Sequence, residues 1–372
     1  MTEHSVTHPA VQPTQHASVV HLVGRVTDTV ASFLGPATHA LAESGALQTV
    51  IYVDDAVHAS ALLCLHSSVQ LVPVPNPRGS LGQFRLLRGA LQQSLGTSPV
   101  EAVHLHGLIP SVIGAFTLSS APRSPKVYCS PHGSKLLSAF KALGGVVLWT
   151  AKPLSGRRPQ RAIANIGADV RALQALTQQN VELIESPVAP VFFATVHGEA
   201  PAPRVVSGHH AHDDAASIAS VAQMAVLLSG ENQGAHFSWL GPVAPGLQAP
   251  LQAARVAVAT SSTVEERALE LGQAWLYYAP PGARGFPVRL AEAMTLGVPC
   301  VAFDTPYHRD LIRHGDTGLL CSNADEALTA LSELMASQPM RQRIGAAARE
   351  EAQKRFHPTK FRTSFLAAYE NA

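Results

Sequence analysis

The sequence predicts an α/β protein built from two doubly wound parallel sheets, and three observations carry that prediction. The chain has 372 residues, beyond the usual reach of one hydrophobic core, so two domains follow. Short apolar runs bounded by Gly or Pro alternate with stretches of helical apolar spacing along nearly the whole length. Residues 282–318 then read, in immediate succession, as a loop, a helix, a buried strand and a second loop, which together would cradle a ligand.

The first half justifies its elements in order. Residues 18–23 form the first strand, 24–29 the loop at its C-terminal end, and 33–43 a helix stopped by Gly45. A second strand covers 48–53 and a third 69–74, the latter ended by Pro75 and Pro77. Helical spacing over 81–93 leads to a strand at 102–106, a helix at 108–119 and a strand at 126–130 that delivers Pro131-His132-Gly133. In such a sheet the strand ends converge on one crevice.

A proline-bearing, charge-poor stretch over 186–203 reads as a linker. The second series opens with a strand at 204–208 and a helix at 214–228, followed by strands at 236–240, 256–259 and 275–278. Gly282, Gly285 and Pro287 keep the next loop irregular; Leu290, Ala293, Met294 and Leu296 then share one helical face. Residues 298–303 are a short apolar run, as expected of a parallel strand covered on both faces. Helices are expected at 325–337, 340–355 and 359–370. Domain bounds follow: a disordered tail at 1–17, a first domain at 18–190, a second at 191–355 and a terminal helical segment at 356–372.

Composition narrows the class. Apolar residues make up 46% of the chain and charged ones only 14%, against roughly 25% in an average soluble protein, so burial is extensive. Residues 1–17 lack the basic start and apolar run of a secretory signal, and no run of 18 apolar residues occurs, so neither export nor a membrane span is expected. Cys64, Cys129, Cys300 and Cys321 lack Cys-x-x-Cys spacing and read as reduced, buried thiols in a cytoplasmic protein. The net charge of +1 hides an asymmetry: residues 102–168 contain no Asp or Glu but hold Arg123, Lys126, Lys135, Lys141, Lys152, Arg157, Arg158 and Arg161. Interleaved with Leu136, Phe140, Val146 and Trp149, this block suits peripheral contact with an anionic membrane or a phosphate-bearing lipid; a core helix whose lysines reach out to water is the alternative. Nucleic acid is not expected, because stacking aromatics are sparse.

A helix start after a glycine-bearing loop offers unpaired N–H groups and a positive dipole end, and phosphate is its usual occupant. Gly285-Phe286-Pro287, Glu292-Ala293-Met294, Gly297-Val298-Pro299 and Gly315-Asp316-Thr317-Gly318 occur in that order. In these residues the chain resembles the retaining nucleotide-sugar glycosyltransferases of the GT-B fold, family 4. The resemblance implies two Rossmann-like domains facing across a cleft, with the terminal helix crossing back onto the first. It departs from the family at Arg284, where the first of two glutamates would stand eight residues before Glu292. Arg284 is either a cation for the leaving diphosphate or the mark of a lost catalytic function.

The resemblance further implies roles. Glu292, one turn into the helix, would meet a ribose or sugar hydroxyl, and His132 would contact the donor sugar from the first domain. Gly285, Phe286, Pro287 and Val288 would hold the diphosphate, together with Gly208 and His209 after the first strand of the second domain. The family's Arg and Lys in that last loop are replaced by Ser207-Gly-His-His-Ala-His-Asp-Asp214, a polar loop rather than a metal site. Gly24, Arg25 and His106 are placed on the acceptor side. Arg309 or His308 is expected to reach the acceptor, with Asp304 or Thr305 read alternatively as a helix cap. Neither metal nor cofactor is expected; the nucleoside diphosphate sugar is a substrate.

By resemblance, then, the chain would transfer a hexose with retention to a glycan, and the basic block suggests a lipid-linked acceptor at the cytoplasmic membrane face, as in exopolysaccharide or O-antigen assembly. The rivals are a noncatalytic sugar-nucleotide-binding or partner-regulating protein with a degenerate site, favoured by Arg284 and the 207–214 loop, and an epimerase of the same fold.

Overall fold

The computed structural model describes residues 17–76, 79–118, 125–133, 161–177, 180–208, 214–231, 235–259, 263–282 and 285–370. Two wholly parallel sheets organise them. The first has seven strands, β1 (Ser18–Val23), β2 (Leu47–Val53), β3 (Gln70–Val74), β4 (Ala102–His106), β5 (Lys126–Ser130), β6 (Arg161–Ala164) and β7 (Val181–Leu183), in the order β3-β2-β1-β4-β5-β6-β7. The second has six, β8 (Arg204–Gly208), β9 (His236–Leu240), β10 (Ala257–Ala259), β11 (Leu276–Ala279), β12 (Cys300–Phe303) and β13 (Leu319–Cys321), in the order β10-β9-β8-β11-β12-β13. The strand order reverses direction between β1 and β4 in one sheet and between β8 and β11 in the other. These two switch points are where an open parallel sheet binds its ligand.

Burial explains the elements. β1 and β4 are apolar with interspersed His, and β4 is buried along its whole length, as a central parallel strand requires. The helix Asp28–Glu43 begins two residues inside the expected loop, because the Thr27 side chain accepts from the Val30 N–H and caps it. Its Phe33, Ala37 and Leu41 pack on the sheet, together with Tyr128, Phe361 and Phe365. The last two belong to the helix Pro358–Glu370, which therefore lies on the first domain although it follows the second in sequence. In the second domain Leu290, Met294 and Phe356 cover one sheet face and Trp239, Tyr278 and Leu331 the other.

Several elements differ from expectation. Residues Ala56–Cys64 form a 3-10 helix, and the short strands β6, β7 and β13 and the helix Gly167–Thr177 fall where no element was expected. Cys64 is exposed, contrary to the reading of four buried thiols, because that 3-10 turn lies at the surface; Cys300 and Cys321 are buried and Cys129 half-buried. The paired glutamates 265 and 266 begin the helix Val264–Gly272, where Thr263 and Glu266 form a reciprocal capping box. No helix among the described residues is long and apolar enough to cross a membrane. Most of the basic block, residues 134–160, lies outside the described residues.

Candidate active site

Parallel pairing assembles the first half of the site. β1 pairs β4 with His21 opposite His104, and β4 pairs β5 with His106 opposite Ser130. This brings four histidines into one buried file at the switch point. His21 Nδ1 lies 3.1 Å from His106 Nε2, and His106 Nδ1 lies 3.0 Å from His132 Nε2. His104 stacks on His106 at 4.0 Å and bonds Ser130 Oγ at 2.9 Å and the Tyr369 hydroxyl at 2.7 Å. Burial disfavours the charged form of every ring: it pushes His21 down to about 4 and His132 to about 3, and holds His104 and His106 well below the ordinary histidine range. These are neutral imidazoles near pH 7. Ring nitrogens of His21, His104 and His106 lie within 4.8 Å of one another, a spacing a metal could use. Five of their six nitrogens are engaged with each other, with His132 and with two hydroxyls; His21 Nε2 has no partner.

His132 stands just past β5 with φ of 51°, a left-handed conformation uncommon outside glycine, and is 8% exposed. The next residue, Gly133, donates its N–H to Asp169 Oδ2 at 2.8 Å. Burial raises the Asp169 carboxyl to about 6, opposed by the bonds from Gly133 and Tyr307. Because Tyr307 of the second domain donates to Asp169 Oδ1 at 3.3 Å, this one carboxyl joins the His132 loop to the opposite wall. Asp310 repeats the pattern with the Ala168 N–H at 2.5 Å and Arg171 at 2.8 Å.

The second half centres on the loop between β11 and the helix Val288–Leu296. Gly285 has φ of 83°, and a Cβ placed there would sit 2.9 Å from Thr29 Cγ2, 3.2 Å from the His132 carbonyl oxygen and 3.3 Å from Gly133 Cα. Only glycine permits that conformation and approach, so the loop touches the first domain at the residue the sequence singles out. Phe286 is fully buried edge-on to Phe356 at 5.5 Å. Its side chain is core, and only its backbone can serve a ligand. Pro287 has φ −81° and ψ 80°, an inverse γ-turn in which the Val288 N–H donates to the Phe286 carbonyl at 3.0 Å. Val288 is thus corrected as a phosphate donor. The amides of Arg289 and Leu290 precede the first intrahelical bond, from Ala291 to Pro287, and the helix start has no side-chain cap.

Glu292 is 3% exposed, and both its oxygens are engaged. Arg267 donates to it through Nε and Nη2 at 3.0–3.3 Å, and Arg289 through Nη1 at 3.0 and 3.1 Å. Burial would raise its pKa, but Arg289 and then Arg267 outweigh that and hold the carboxyl below the usual range. Arg289 also reaches Asp28 of the first domain at 3.2 Å. Where the sequence puts a ribose against Glu292, the structure has an ion cluster spanning both domains. Arg289, three residues before Glu292 on one helix face, carries the only sequence signal for it.

The remaining expected residues scatter. Gly208 ends β8 at the second switch point, and its carbonyl accepts from the Tyr277 hydroxyl at 2.9 Å. Gly24 ends β1 beside open space, and Arg25 pairs loosely with Asp55 at 3.5 Å. His106 is buried within the histidine file rather than lining an open acceptor face. Arg309, 59% exposed, pairs with Asp304 through both its Nε and its Nη2; His308 is buried on the Phe303 carbonyl, and Thr305 caps that short helix. Arg284 and His209 lie outside the described residues. Sequence reasoning missed Asp169 and Arg267, which depend on partners distant along the chain.

With this geometry in hand, the likenesses to other proteins fall into place. Residues 222–351 match the family described as Glycosyl transferases group 1. N-acetyl-alpha-D-glucosaminyl L-malate synthase of Bacillus anthracis is 31% identical over 86 residues, a segment that spans 23% of this chain and 23% of that protein. Sucrose-phosphate synthase from Thermosynechococcus elongatus superposes with a TM-score of 0.77 at 14% identity, covering 96% of this chain and 99% of that one. Anabaena Alr3699/HepE, solved in complex with UDP and glucose, gives 0.73 at 16% identity, with coverage of 96% and 100%. The fold is GT-B.

Proposed function

We propose that this protein is a retaining glycosyltransferase of family 4 type, transferring a hexose from a nucleoside diphosphate sugar to a lipid-linked glycan acceptor in exopolysaccharide or O-antigen biosynthesis. The observation that carries the reading is the meeting of Gly285 with His132 and Gly133, which sets the start of the helix Val288–Leu296 opposite the histidine file. The match over residues 222–351 and the likeness to a protein solved with UDP and glucose support it.

Each part of the site then has a chemical task. Negative charge builds on the departing diphosphate as the bond to the sugar breaks, and the Arg289 and Leu290 amides at a positive helix end stabilise it. Arg284 supplies a further cation in the adjoining loop. His132, neutral and conformationally fixed, orients the sugar through a hydroxyl, which favours attack from the face the leaving group departs. The acceptor occupies the side of β1 near Gly24 and Arg25, and the basic block over 102–168 holds the protein against an anionic inner membrane face in the cytoplasm.

One observation favours a noncatalytic sugar-nucleotide-binding protein instead: Glu292 is already saturated by two arginines. The deciding experiment screens nucleoside diphosphate hexoses by thermal shift, then assays transfer to a lipid diphosphate acceptor with NMR of the product's anomeric configuration. Turnover with retention, lost in Arg284→Ala, is expected; binding without turnover on every acceptor would install the rival. Co-sedimentation with anionic but not neutral vesicles is the expected result for the membrane contact, and no sedimentation at low salt would remove it.

A further inference from the structure

The ion cluster at the helix Val288–Leu296 is balanced by a carboxylate from the other domain. Arg267 and Arg289 both hold Glu292, and all three belong to the second domain, so by themselves they carry a surplus positive charge. Asp28 of the first domain cancels that surplus through the 3.2 Å contact between its Oδ2 and Arg289 Nη2. The three second-domain groups stay together if the domains separate, and the Asp28 contact is the one that breaks. Exposure divides them in the same way: the side chains of Arg289 and Glu292 are 9% and 4% exposed, that of Asp28 36%.

Donors also exceed acceptors where the two domains meet. The Arg289 Nε–H and the Thr29 hydroxyl are buried with no partner among the described residues. Thr29 follows Asp28 directly and packs against Gly285, in the loop that feeds the helix. The Arg289 and Leu290 amides add two N–H groups without an intrahelical partner, at the positive end of that helix. A surplus cation, a positive helix end and unpaired donors make a setting for an anion. Asp28 is the anion that the protein itself supplies.

We propose that Asp28 is an internal counter-anion that competes with the nucleotide's diphosphate for this positive end, weakening nucleotide binding and hastening release of the nucleoside diphosphate product. The proposal rests on the reading above that a nucleoside diphosphate sugar binds at the start of the helix Val288–Leu296. Two anions cannot both neutralise one surplus charge. With Asp28 against Arg289, a diphosphate meets a neutral cluster with a like charge beside it; with Asp28 withdrawn, it meets the surplus in full. The released nucleoside diphosphate carries more negative charge than the sugar nucleotide near neutral pH, so the repulsion falls more heavily on the product. Asp28 acts through Arg289 and touches no reacting atom.

Calorimetric titration of the full chain with UDP, GDP and ADP, and with the glucose conjugate of each, tests this directly. Asp28→Asn keeps the side chain's shape and removes its charge, so it is expected to bind the preferred nucleoside diphosphate about tenfold more tightly. The glucose conjugate should gain by a smaller factor. Asp28→Ser, a second uncharged variant, should behave alike. Glu43→Gln removes an exposed carboxylate of the same domain, paired with Arg362, and should change neither affinity. Adding Asp28→Asn to Arg289→Gln should give no gain over Arg289→Gln alone, because the competition runs through that guanidinium. Unchanged or weaker nucleoside diphosphate binding by both Asp28 variants, or an equal gain in Glu43→Gln, would overturn the proposal; a wild type that still transfers sugar would then leave the functional reading standing. Tighter binding by the Asp28 variants of a protein that transfers no sugar would refute that reading and keep this one. If no nucleoside diphosphate binds either wild type or variants, both fall.

Discussion

Mild acid should unfold this protein, and the histidine file sets how steeply. Four rings, His21, His104, His106 and His132, are buried and neutral, with folded pKa values depressed below 6.5. A base with a depressed folded pKa contributes stability above its unfolded pKa and loses it as the pH falls. The loss continues until the folded value is reached, about 4 for His21 and about 3 for His132. One unit below the unfolded pKa, each proton taken up favours the unfolded chain by about 1.4 kcal/mol. Four such groups give roughly 6 kcal/mol at pH 5.5, comparable with the whole stability of an ordinary domain, ~5–15 kcal/mol. Urea denaturation followed by circular dichroism from pH 8 to 5 reads this as a first-domain transition that falls sharply below pH 6.5. The limiting slope is about 5 kcal/mol per pH unit. His21→Gln should titrate with one proton fewer. A slope equivalent to one histidine or less would refute the claim that the file is neutral when folded.

The same physics yields further expectations. Glu292→Ala strands two arginines, so it should cost about 3–5 kcal/mol in urea denaturation, partly recovered by adding Arg267→Met; a loss under about 1 kcal/mol would contradict the buried cluster. Gly285→Ala combines a left-handed φ, about 1–2 kcal/mol for a residue with a Cβ, with the approach to Thr29, and should weaken sugar-nucleotide binding as well as stability. Calorimetric titration checks it, and Thr29→Ser should restore part of the loss. Asp169 has the opposite pH sign to the histidines. Its folded pKa of about 6 exceeds the ordinary 3.8, so its contribution is full below 3.8 and is lost as the pH rises through 6. Asp169→Asn should therefore gain on the wild type by up to about 3 kcal/mol between pH 4 and 7.5, and parallel curves would remove the assignment. Phe365→Ala empties a buried aromatic site and should cost the first domain about 3–5 kcal/mol, measured by the same denaturation.

Much of the fold was legible because the strands are apolar runs closed by Gly or Pro. β1, β4, β5, β8 and β9 have the expected bounds for that reason. β6 and β7 escaped because the one follows a basic stretch and the other carries Glu182 at its centre, and β13 was read as part of a loop. At the site, Gly285 and His132 were legible from the punctuation around them. The histidine file was only half legible: His104 and His106 alternate visibly, but nothing local says that β1 will pair β4 and bring His21 opposite. Glu292 was legible from its helix position, but its partner Arg267, from another helix, reaches it only after packing. The Val288 amide was lost to a turn that Pro287 closes, a matter of dihedral angles rather than residue type.

The return of the helix Pro358–Glu370 onto the first domain has a bearing on how the chain matures at the ribosome. Tyr369 stacks on Tyr128 at 4.0 Å and bonds His104, while Phe361 and Phe365 close over Phe33. Until the whole second lobe has been translated, the amino-terminal lobe lacks this aromatic lid and its histidines stand partly open to water. The nascent protein therefore carries an uncovered greasy face until residues 358–370 emerge and seal it.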